Sequence, residues 1–265
     1  MIPRDYITEW RDQAPWVQDA QVEQDLIISR ALVALFGHPL LGSTLAFRGG
    51  TALYKLYLLP PVRYSEDIDL VQVESAPAGD MLDAIREVID PWLGKANWKQ
   101  SERGVTLYYR FDSEDAPPIR LRLKIEINTR EHFDVFGIEQ VDFEVNSRWF
   151  NGASTIQTYQ LDELLGTKLR ALYQRRKGRD LFDLALGLEL GHAEPTKVVA
   201  AFLHYMEKQG VRTTRAEFEA NLAQKLTKPQ FVADITPLLA NNAQYDLESA
   251  VALVRSQLVT LIPES

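Results

Sequence analysis

The chain has 265 residues, of which 46% are hydrophobic and 25% are charged, a composition typical of a soluble globular protein. It has no cysteine, which excludes disulfides and thiolate metal sites, and its net charge of −8 disfavours a uniformly basic nucleic-acid binder. No apolar run approaches the roughly 20 residues that cross a bilayer, and no secretory signal is visible at the start. We therefore expect a cytoplasmic protein with no membrane partner.

The first 160 residues alternate between two hydrophobic periodicities. Apolar residues at a spacing of three to four predict helices, and apolar residues at every second position predict strands. Residues 119–128 give the clearest strand, because five aliphatic residues face one way and five polar residues the other. The predicted order is a helix over 18–37, a strand over 45–47, a short helix over 51–57, a strand over 68–73, a helix from 77 and strands over 105–111, 119–128, 141–145 and 154–159.

From residue 161 onward the signals are mostly helical. Pro195 suits a first helical position, and Asp246 can cap the last helix. Thr214 and Glu217 form a capping box. We expect an α+β protein with a mixed sheet in residues 1–155 and an all-helical C-terminal domain in residues 156–265. No Gly/Ser linker separates them, which predicts that they pack tightly.

Two aspartates on the strand over 68–73 are the first candidates for chemistry. Asp67 and Asp69 are two residues apart, so on a strand both side chains emerge from the same face. Two ionised carboxylates this close repel each other unless a cation compensates them. Hard oxygen ligands suit Mg²⁺, although a solvated pair on an edge strand would have the same sequence.

Glu126 can complete an acidic cluster if the 119–128 strand neighbours the aspartates. Three carboxylates can hold two metal ions about 3.5–4 Å apart, one activating the attacking oxygen and the other stabilising the leaving group. The predicted ligands of this two-metal Mg²⁺ site are Asp67, Asp69 and Glu126. The alternative is that Glu126 pairs with an Arg or Lys across the strands.

A turn of small residues precedes the aspartates. Gly49 and Gly50 allow backbone N–H groups to approach a phosphate, and the Thr51 hydroxyl can donate to a phosphate oxygen. The start of the following helix favours an anion. The spacing matches neither a P-loop nor a dinucleotide fingerprint. A Gly-Gly-Thr turn followed by D-x-D on the next strand therefore points to another kind of triphosphate site.

At these residues the sequence resembles the DNA polymerase beta-like nucleotidyltransferases, whose signature is a Gly-Ser or Gly-Thr turn, then D-x-D or D-x-E, then a third acidic residue. The stretches RGGTALYK and RYSEDIDL resemble more closely the AbiEii/AbiGii nucleotidyltransferase toxins, which include the MenT-type toxins. The resemblance implies the mixed-sheet nucleotidyltransferase fold flanked by helices. The nucleotide-binding residues that it implies are Arg48, Gly49, Gly50, Thr51, Lys55, Ser65 and Lys168. Ser65 is also close enough to the site to be modified itself.

The resemblance is strong again at LDELLGTKLRALYQRRKGRDLFDL, where Lys168 and Asp183 take the places of a family lysine and aspartate. It implies that Lys168 neutralises triphosphate charge, and that Asp183 orients Lys168 or acts as a base on the acceptor. The helical domain would then complete the active site. The alternative is a structural Lys–Asp pair that holds two helices together.

The resemblance implies a toxin of a type IV-like toxin–antitoxin system, an enzyme that transfers NMP from an NTP to RNA with Mg²⁺ and releases pyrophosphate. The expected partners are an NTP, an RNA acceptor such as the tRNA 3′ end, and an antitoxin encoded nearby. The alternatives are an antibiotic-type small-molecule nucleotidyltransferase and a non-catalytic nucleotide-binding module. Six basic side chains are candidates for binding the RNA backbone; the alternative is that they lie on solvated helix and strand faces. They are Arg120, Arg122, Arg175, Arg176, Lys177 and Arg179.

Overall fold

The computed structural model describes residues 2–102, 104–241 and 243–264. The chain forms two compact units. The first comprises Met1–Asp134 and Ile138–Tyr159, and the second comprises Val135–Gly137 and Gln160–Ser265. The predicted division at residue 155 lies within the last strand of the first unit, because the hydrogen-bonded pairing of that strand continues to Tyr159.

The first unit contains one sheet and five helices within its described residues. Its strands are β1 (Leu45–Arg48), β2 (Asp67–Gln72), β3 (Asn97–Ser101), β4 (Gly104–Asp112), β5 (Arg120–Asn128), β6 (Ile138–Asn146) and β7 (Asn151–Tyr159). Its α-helices are α1 (Arg4–Trp10), α2 (Asp19–Gly37), α3 (Pro39–Thr44), α4 (Gly49–Ala52) and α5 (Gly79–Leu93). A π-helix, Leu53–Tyr57, continues α4.

The sheet is mixed, as the sequence predicts. Its strand order is β3-β4-β5-β2-β1-β7-β6, in which β2 runs parallel to β5 and β1 runs parallel to β7. The remaining neighbours are antiparallel. This order places β2, with its two aspartates, in the middle of the sheet between β1 and β5. The aspartate pair therefore does not lie on an edge strand, which was the alternative reading of the sequence.

One face of the sheet forms the core of the first unit. Leu107 and Tyr109 on β4 and Ile125 on β5 are fully buried. The Tyr109 hydroxyl donates a 2.9 Å hydrogen bond to Asp90 on α5, so this face lies under the helices. Polar residues alternate with these apolar ones along β5 and face the other way. The opposite face of β2, β4 and β5 is therefore the polar one, and it carries the candidate site.

Several details differ from the sequence-based prediction, among them helices α1 and α3, which were not predicted. Strand β3 was not predicted, because all five of its residues are exposed and give no apolar alternation. The helix expected from Pro77 begins at Gly79. The helix expected over 51–57 begins earlier, at Gly49, and changes to π geometry at Leu53.

The regular secondary structure of the second unit is helical in its described residues. Its helices are α6 (Leu161–Gln174), α7 (Gly178–Glu189), α8 (Pro195–Lys208), α9 (Arg215–Leu226), α10 (Pro229–Val232) and α11 (Leu247–Gln257), with short 3₁₀ turns at Thr236–Leu238 and Val259–Leu261. The predicted helix starts at Pro195, Thr214 and Asp246 are confirmed. No helix among the described residues is long and apolar enough to cross a membrane.

Candidate active site

The turn between β1 and α4 is shaped by glycine. Gly49 has φ of 83°, a backbone conformation that residues with a side chain rarely adopt. A Cβ at Gly49 would overlap the Asp69 carboxylate, and a Cβ at Gly50 would lie 2.7 Å from Arg63 Nη2. The backbone of the turn is thus packed directly against Asp69 and Arg63, which requires both glycines.

Thr51 fixes this turn to the strand that carries the aspartates. Its side chain is buried, and its hydroxyl hydrogen-bonds to the Ser65 hydroxyl at 2.9 Å and to the Asp67 carbonyl oxygen. The single hydroxyl proton of Thr51 is therefore used within the chain. We expected Thr51 to donate directly to a phosphate. Its placement instead favours a role in ordering the turn.

The parallel pairing of β2 with β5 brings the three candidate carboxylates onto one face. Asp67 is opposite Lys124, and Asp69 is opposite Glu126. The condition for the acidic cluster, that these two strands are neighbours, is met. A lysine that was not assigned to the cluster lies within it, since Lys124 is on the same polar face of β5 as Glu126.

Lys124 forms an ion pair with two of the carboxylates. Its Nζ lies 3.2 Å from Asp67 Oδ2 and 2.9 Å from Glu126 Oε2. Burial opposes the charged form of Lys124, but the hydrogen bonds and negative charges of Glu126 and Asp67 outweigh it and raise the pKa of the ammonium. Glu126 is thus paired with a lysine, as in the alternative reading of its role.

The donor set suits a hard divalent cation only in part. Asp67 and Asp69 offer carboxylate oxygens on one face of β2, which is the ligand type that Mg²⁺ prefers. No group of three or more His, Asp or Glu side chains in the described ranges is arranged to hold a metal ion. The residues therefore fit one cation at the aspartate pair, and the three-carboxylate, two-metal set stays a prediction.

The other predicted nucleotide-binding cations are held by carboxylates. Arg48 Nη1 lies 2.5 Å from Glu131 Oε2, and Lys55 Nζ lies 2.6 Å from Asp25 Oδ1. The tryptophans Trp10 and Trp16 donate their indole N–H groups to the same Asp25.

Lys55 also lines a small, partly open cavity beside the glycine turn. The cavity is lined by Trp16, Asp25, Thr51, Tyr54, Lys55, Pro61, Arg63 and Ser65.

Arg63 lies beside the glycine turn and was not predicted from the sequence as a candidate site residue. It is only 1% exposed, its guanidinium lies 4.7 Å from the centre of the Tyr54 ring, and it donates a 2.9 Å hydrogen bond to the Tyr64 carbonyl. A buried guanidinium at the glycine turn adds a positive charge where Ser65 and Thr51 meet. No local pattern distinguishes Arg63 from an exposed arginine, so tertiary packing alone identifies it.

Lys168 and Asp183 do meet in the second unit. Lys168 on α6 lies 2.8 Å from Asp183 Oδ2 and 3.4 Å from Asp180 Oδ1 on α7, and both aspartates are fully buried. Arg175 donates two 2.7 Å hydrogen bonds to Asp180 from the exposed side. The structural Lys–Asp pair between α6 and α7, the alternative given for Lys168 and Asp183, is therefore present. A fully buried, lysine-bound Asp183 is better placed to orient Lys168 than to accept a proton from an acceptor.

Most cations of the 175–179 segment also have partners inside the second unit. Arg179 and Lys177 bind Asp234 at 2.8 Å and 3.3 Å. Burial raises the pKa of Asp234, but the hydrogen bonds from Arg179 and Lys177 outweigh burial and lower this pKa to about 2. Arg176 remains exposed. Among the predicted RNA-binding residues of this segment, only Arg176 forms no ion pair with a carboxylate of the described residues.

The two RNA-binding candidates on β5 also differ in whether a carboxylate compensates their charge. Arg120 Nη1 donates to both carboxylate oxygens of Asp112 across the strands, at 2.8 and 2.9 Å. Arg122 is exposed, and its guanidinium lies 5.9 Å from the centre of the Tyr108 ring. The charge of Arg120 is therefore compensated within the sheet, whereas that of Arg122 faces solvent beside an aromatic ring.

Comparison with known protein families decides the relationship. Residues 30–253 match the family described as nucleotidyl transferase AbiEii toxin of type IV toxin–antitoxin systems. The chain belongs to this family. The predicted family membership and the nucleotidyltransferase fold are confirmed, and the family supports a transferase.

Solved structures similar to this AbiEii-family chain have the same fold at low sequence identity. MenT4, a nucleotidyltransferase toxin from Mycobacterium tuberculosis H37Rv, is 18% identical with a TM-score of 0.65, over 98% of this chain and 90% of MenT4. JHP933 from Helicobacter pylori is also 18% identical, with a TM-score of 0.56 over 91% of this chain and 92% of its own. A comparison with curated proteins gives no match.

Proposed function

We propose that this AbiEii-family chain is a toxin that transfers a nucleoside monophosphate from an NTP to an RNA acceptor, with the tRNA 3′ end as the first candidate. Pyrophosphate is the leaving group, and Mg²⁺ is the required metal. The observation that carries the proposal is the close packing of the Gly49 turn against Asp69, which sets a bare backbone beside two co-facing carboxylates.

The residues of the first unit have complementary tasks in this reaction. Gly49 and Gly50 let the turn lie directly against Asp69 and Arg63, where the triphosphate would bind, and Thr51 holds this turn on β2. Asp67 and Asp69 would hold Mg²⁺, which neutralises phosphate charge when it is bound. Lys124 reduces the repulsion among the carboxylates before nucleotide binds.

Arg63 and Lys55 place two cations next to the same turn. Each is already fixed, Arg63 by burial and stacking on Tyr54 and Lys55 by its pair with Asp25. Positive groups that are fixed before the substrate binds stabilise a transferring phosphoryl group without paying for their own reorganisation. We propose the same role for Lys168, which the Asp180 and Asp183 carboxylates hold in one position.

The family also bears on the partners. Membership of a type IV toxin–antitoxin family supports an antitoxin encoded beside this chain. The RNA acceptor is supported by the exposed cations Arg122 and Arg176, which are not compensated by carboxylates among the described residues. A small-molecule acceptor would need no such charges.

The test is incubation of the protein with Mg²⁺, each of the four labelled NTPs and total tRNA. We expect one or more NTPs to label tRNA, and Asp69→Asn to lower the rate at least 100-fold. Thermal unfolding of Asp69→Asn should match the wild type. Label on no RNA in the wild-type reaction contradicts the proposal. Nucleotide binding without transfer would indicate a binding module. Label on an aminoglycoside-type acceptor, supplied in place of tRNA, would indicate a small-molecule enzyme.

A further inference from the structure

Tyr108 lies in the middle of a positively charged area on the polar face of the sheet. The centre of its ring is 5.6 Å from Lys99 Nζ and 5.9 Å from Arg122 Cζ. The ring is half-buried, whereas Lys99, Arg110 and Arg122 are exposed. None of these three cations forms an ion pair within the part of the chain that the structure describes. Their charges are therefore available to an anion from outside.

Two of these cations face each other directly. Arg110 on β4 is the register partner of Arg122 on β5, in an antiparallel pair whose side chains lie on the same face. Like charges in directly opposite positions destabilise a sheet. The cost of this arrangement is offset when an anion binds between the two guanidinium groups.

The same register connects the charged area to the candidate active site. Tyr108 is opposite Lys124, and Lys124 is in turn opposite Asp67. Neighbouring strands are about 4.8 Å apart, so the Tyr108 backbone lies about 10 Å from that of Asp67 on the same face. An extended ligand that stacks on Tyr108 can therefore reach the aspartates.

The neighbouring tyrosine has a different role, because it points to the other face. Tyr109 is fully buried and bonds to Asp90 on α5. Of the two tyrosines, only Tyr108 offers its ring to a base, while Tyr109 belongs to the core.

We propose that the Tyr108 face, defined as Lys99, Tyr108, Arg110 and Arg122, binds the single-stranded end of the RNA acceptor. A base of the acceptor stacks on the Tyr108 ring, and the adjoining phosphates bind the three cations. This inference rests on the proposed function, since it takes from it that the acceptor is RNA.

The chemistry favours a single-stranded nucleic acid over an acidic peptide. Aromatic side chains in a positively charged groove bind unpaired bases by stacking, and the phosphates add a salt-dependent term. The bases of a duplex are stacked on each other and cannot use the ring. A peptide carboxylate would use the cations but not the ring, so the contribution of Tyr108 distinguishes the two ligands.

The experiment is fluorescence anisotropy of a labelled single-stranded oligoribonucleotide with the full chain, without nucleotide. Stacking contributions predict that Tyr108→Leu weakens binding about tenfold, whereas Tyr108→Phe, which keeps the ring, stays within about twofold. Arg122→Gln should weaken binding several-fold and reduce the slope of log affinity against log salt by about 0.7. The matched control is Arg120→Gln combined with Asp112→Asn, which removes an ion pair of the same face without changing its net charge, and this double variant should bind nearly as the wild type does.

The outcomes separate this inference from the function on which it rests. If Tyr108→Leu and Arg122→Gln, both folded by thermal unfolding, bind the oligonucleotide like the wild type, the Tyr108 face is not the acceptor site. The same conclusion follows if a glutamate-rich peptide binds as tightly as RNA. If the variants lose RNA binding but the wild type labels no RNA with any NTP, the surface assignment stands and the proposed transfer fails.

Discussion

Lys124 occupies the position beside Glu126 that the sequence pattern suggested for a metal ion. Its ammonium contacts Glu126 and Asp67, so two of the three carboxylates share one positive charge from the chain itself. A lysine on the same strand, two residues from Glu126, could be seen in the sequence. The carboxylates that pair with this lysine could not be predicted, because they depend on which strand lies next to β5.

The role of Lys124 can be tested by Lys124→Met, which keeps the length of the side chain and removes its charge. We expect Mg²⁺ to bind the nucleotide-free variant more tightly, because Asp67, Asp69 and Glu126 then repel one another without an internal cation. The measurement is the rise in melting temperature with Mg²⁺ concentration. The control is Lys124→Arg, which should respond like the wild type. An equal Mg²⁺ response of Lys124→Met and wild type would show that Lys124 does not compensate the cluster.

Glu23 on α2 is a buried carboxyl group with incomplete hydrogen bonding. It is 1% exposed; its Oε2 accepts the Glu114 backbone N–H, and no described group bonds its Oε1. Burial, with a contribution from the negative charge of Asp115, raises the pKa of Glu23 from 4.5 to about 7. Because the folded state binds this proton more tightly, the stabilisation is complete below pH 4.5 and is lost as the pH rises through about 7.

We therefore expect Glu23→Gln to stabilise the protein at pH 8 and to change little at pH 5. The expected gain at pH 8 is about 3 kcal/mol, since a neutral amide replaces a carboxylate that is ionised and buried at this pH. Urea unfolding of wild type and variant at the two pH values gives this difference directly. A gain that is the same at pH 5 and pH 8 would rule out the titration of Glu23 as its cause.

At the scale of elements, α6 and α7 are joined by a buried ion cluster. Lys168 is the ammonium that compensates Asp183, and it shares Asp180 with Arg175. The sequence left two roles open for Lys168, a cation for the triphosphate and a structural partner of Asp183. The structure adds that two aspartates are fully buried there, so that removing the lysine leaves them with less compensation.

Lys168→Ala should lower the free energy of unfolding by about 3–5 kcal/mol, the usual cost of breaking a buried ion pair from one side. Loss of activity in this variant alone would thus not distinguish catalysis from folding. Lys168→Met combined with Asp183→Asn removes both charges and should recover a large part of the stability, but no activity, if Lys168 serves the reaction. Recovered activity in the double variant would assign the pair to structure only. Arg176→Ala, at an exposed position, is the control, with a change of at most about 0.5 kcal/mol.

At the scale of the whole molecule, the average charge and the local charge differ. A net charge of −8 disfavoured only a uniformly basic nucleic-acid binder, and the Tyr108 face carries three exposed cations that have no carboxylate partner among the described residues. Alternation along β4 and β5 places their charged side chains on one face of the sheet, where a local group of cations can form whatever the net charge of the chain. Composition sums over all surfaces and cannot detect such a local group.

The sequence by itself determined the local features of this protein. The alternation over 119–128, the helix over 18–37, the caps at Thr214 and Asp246 and the GGT and DID motifs all depend on neighbours in the chain, and most were predictable. The family membership follows from the same motifs. Strand β3 was missed because an exposed strand has no periodic apolar signal.

Only the tertiary structure decided which charges meet. The register of β2 against β5 placed Lys124 between Asp67 and Glu126, the close approach of the Gly50 turn buried Arg63, and Asp234 took up Lys177 and Arg179. Each of these contacts joins residues that are distant in the chain, and their energies depend on burial and on separations of a few ångströms. Neither quantity is encoded by the residues next to them, and so charge pairing becomes visible only when the chain is folded.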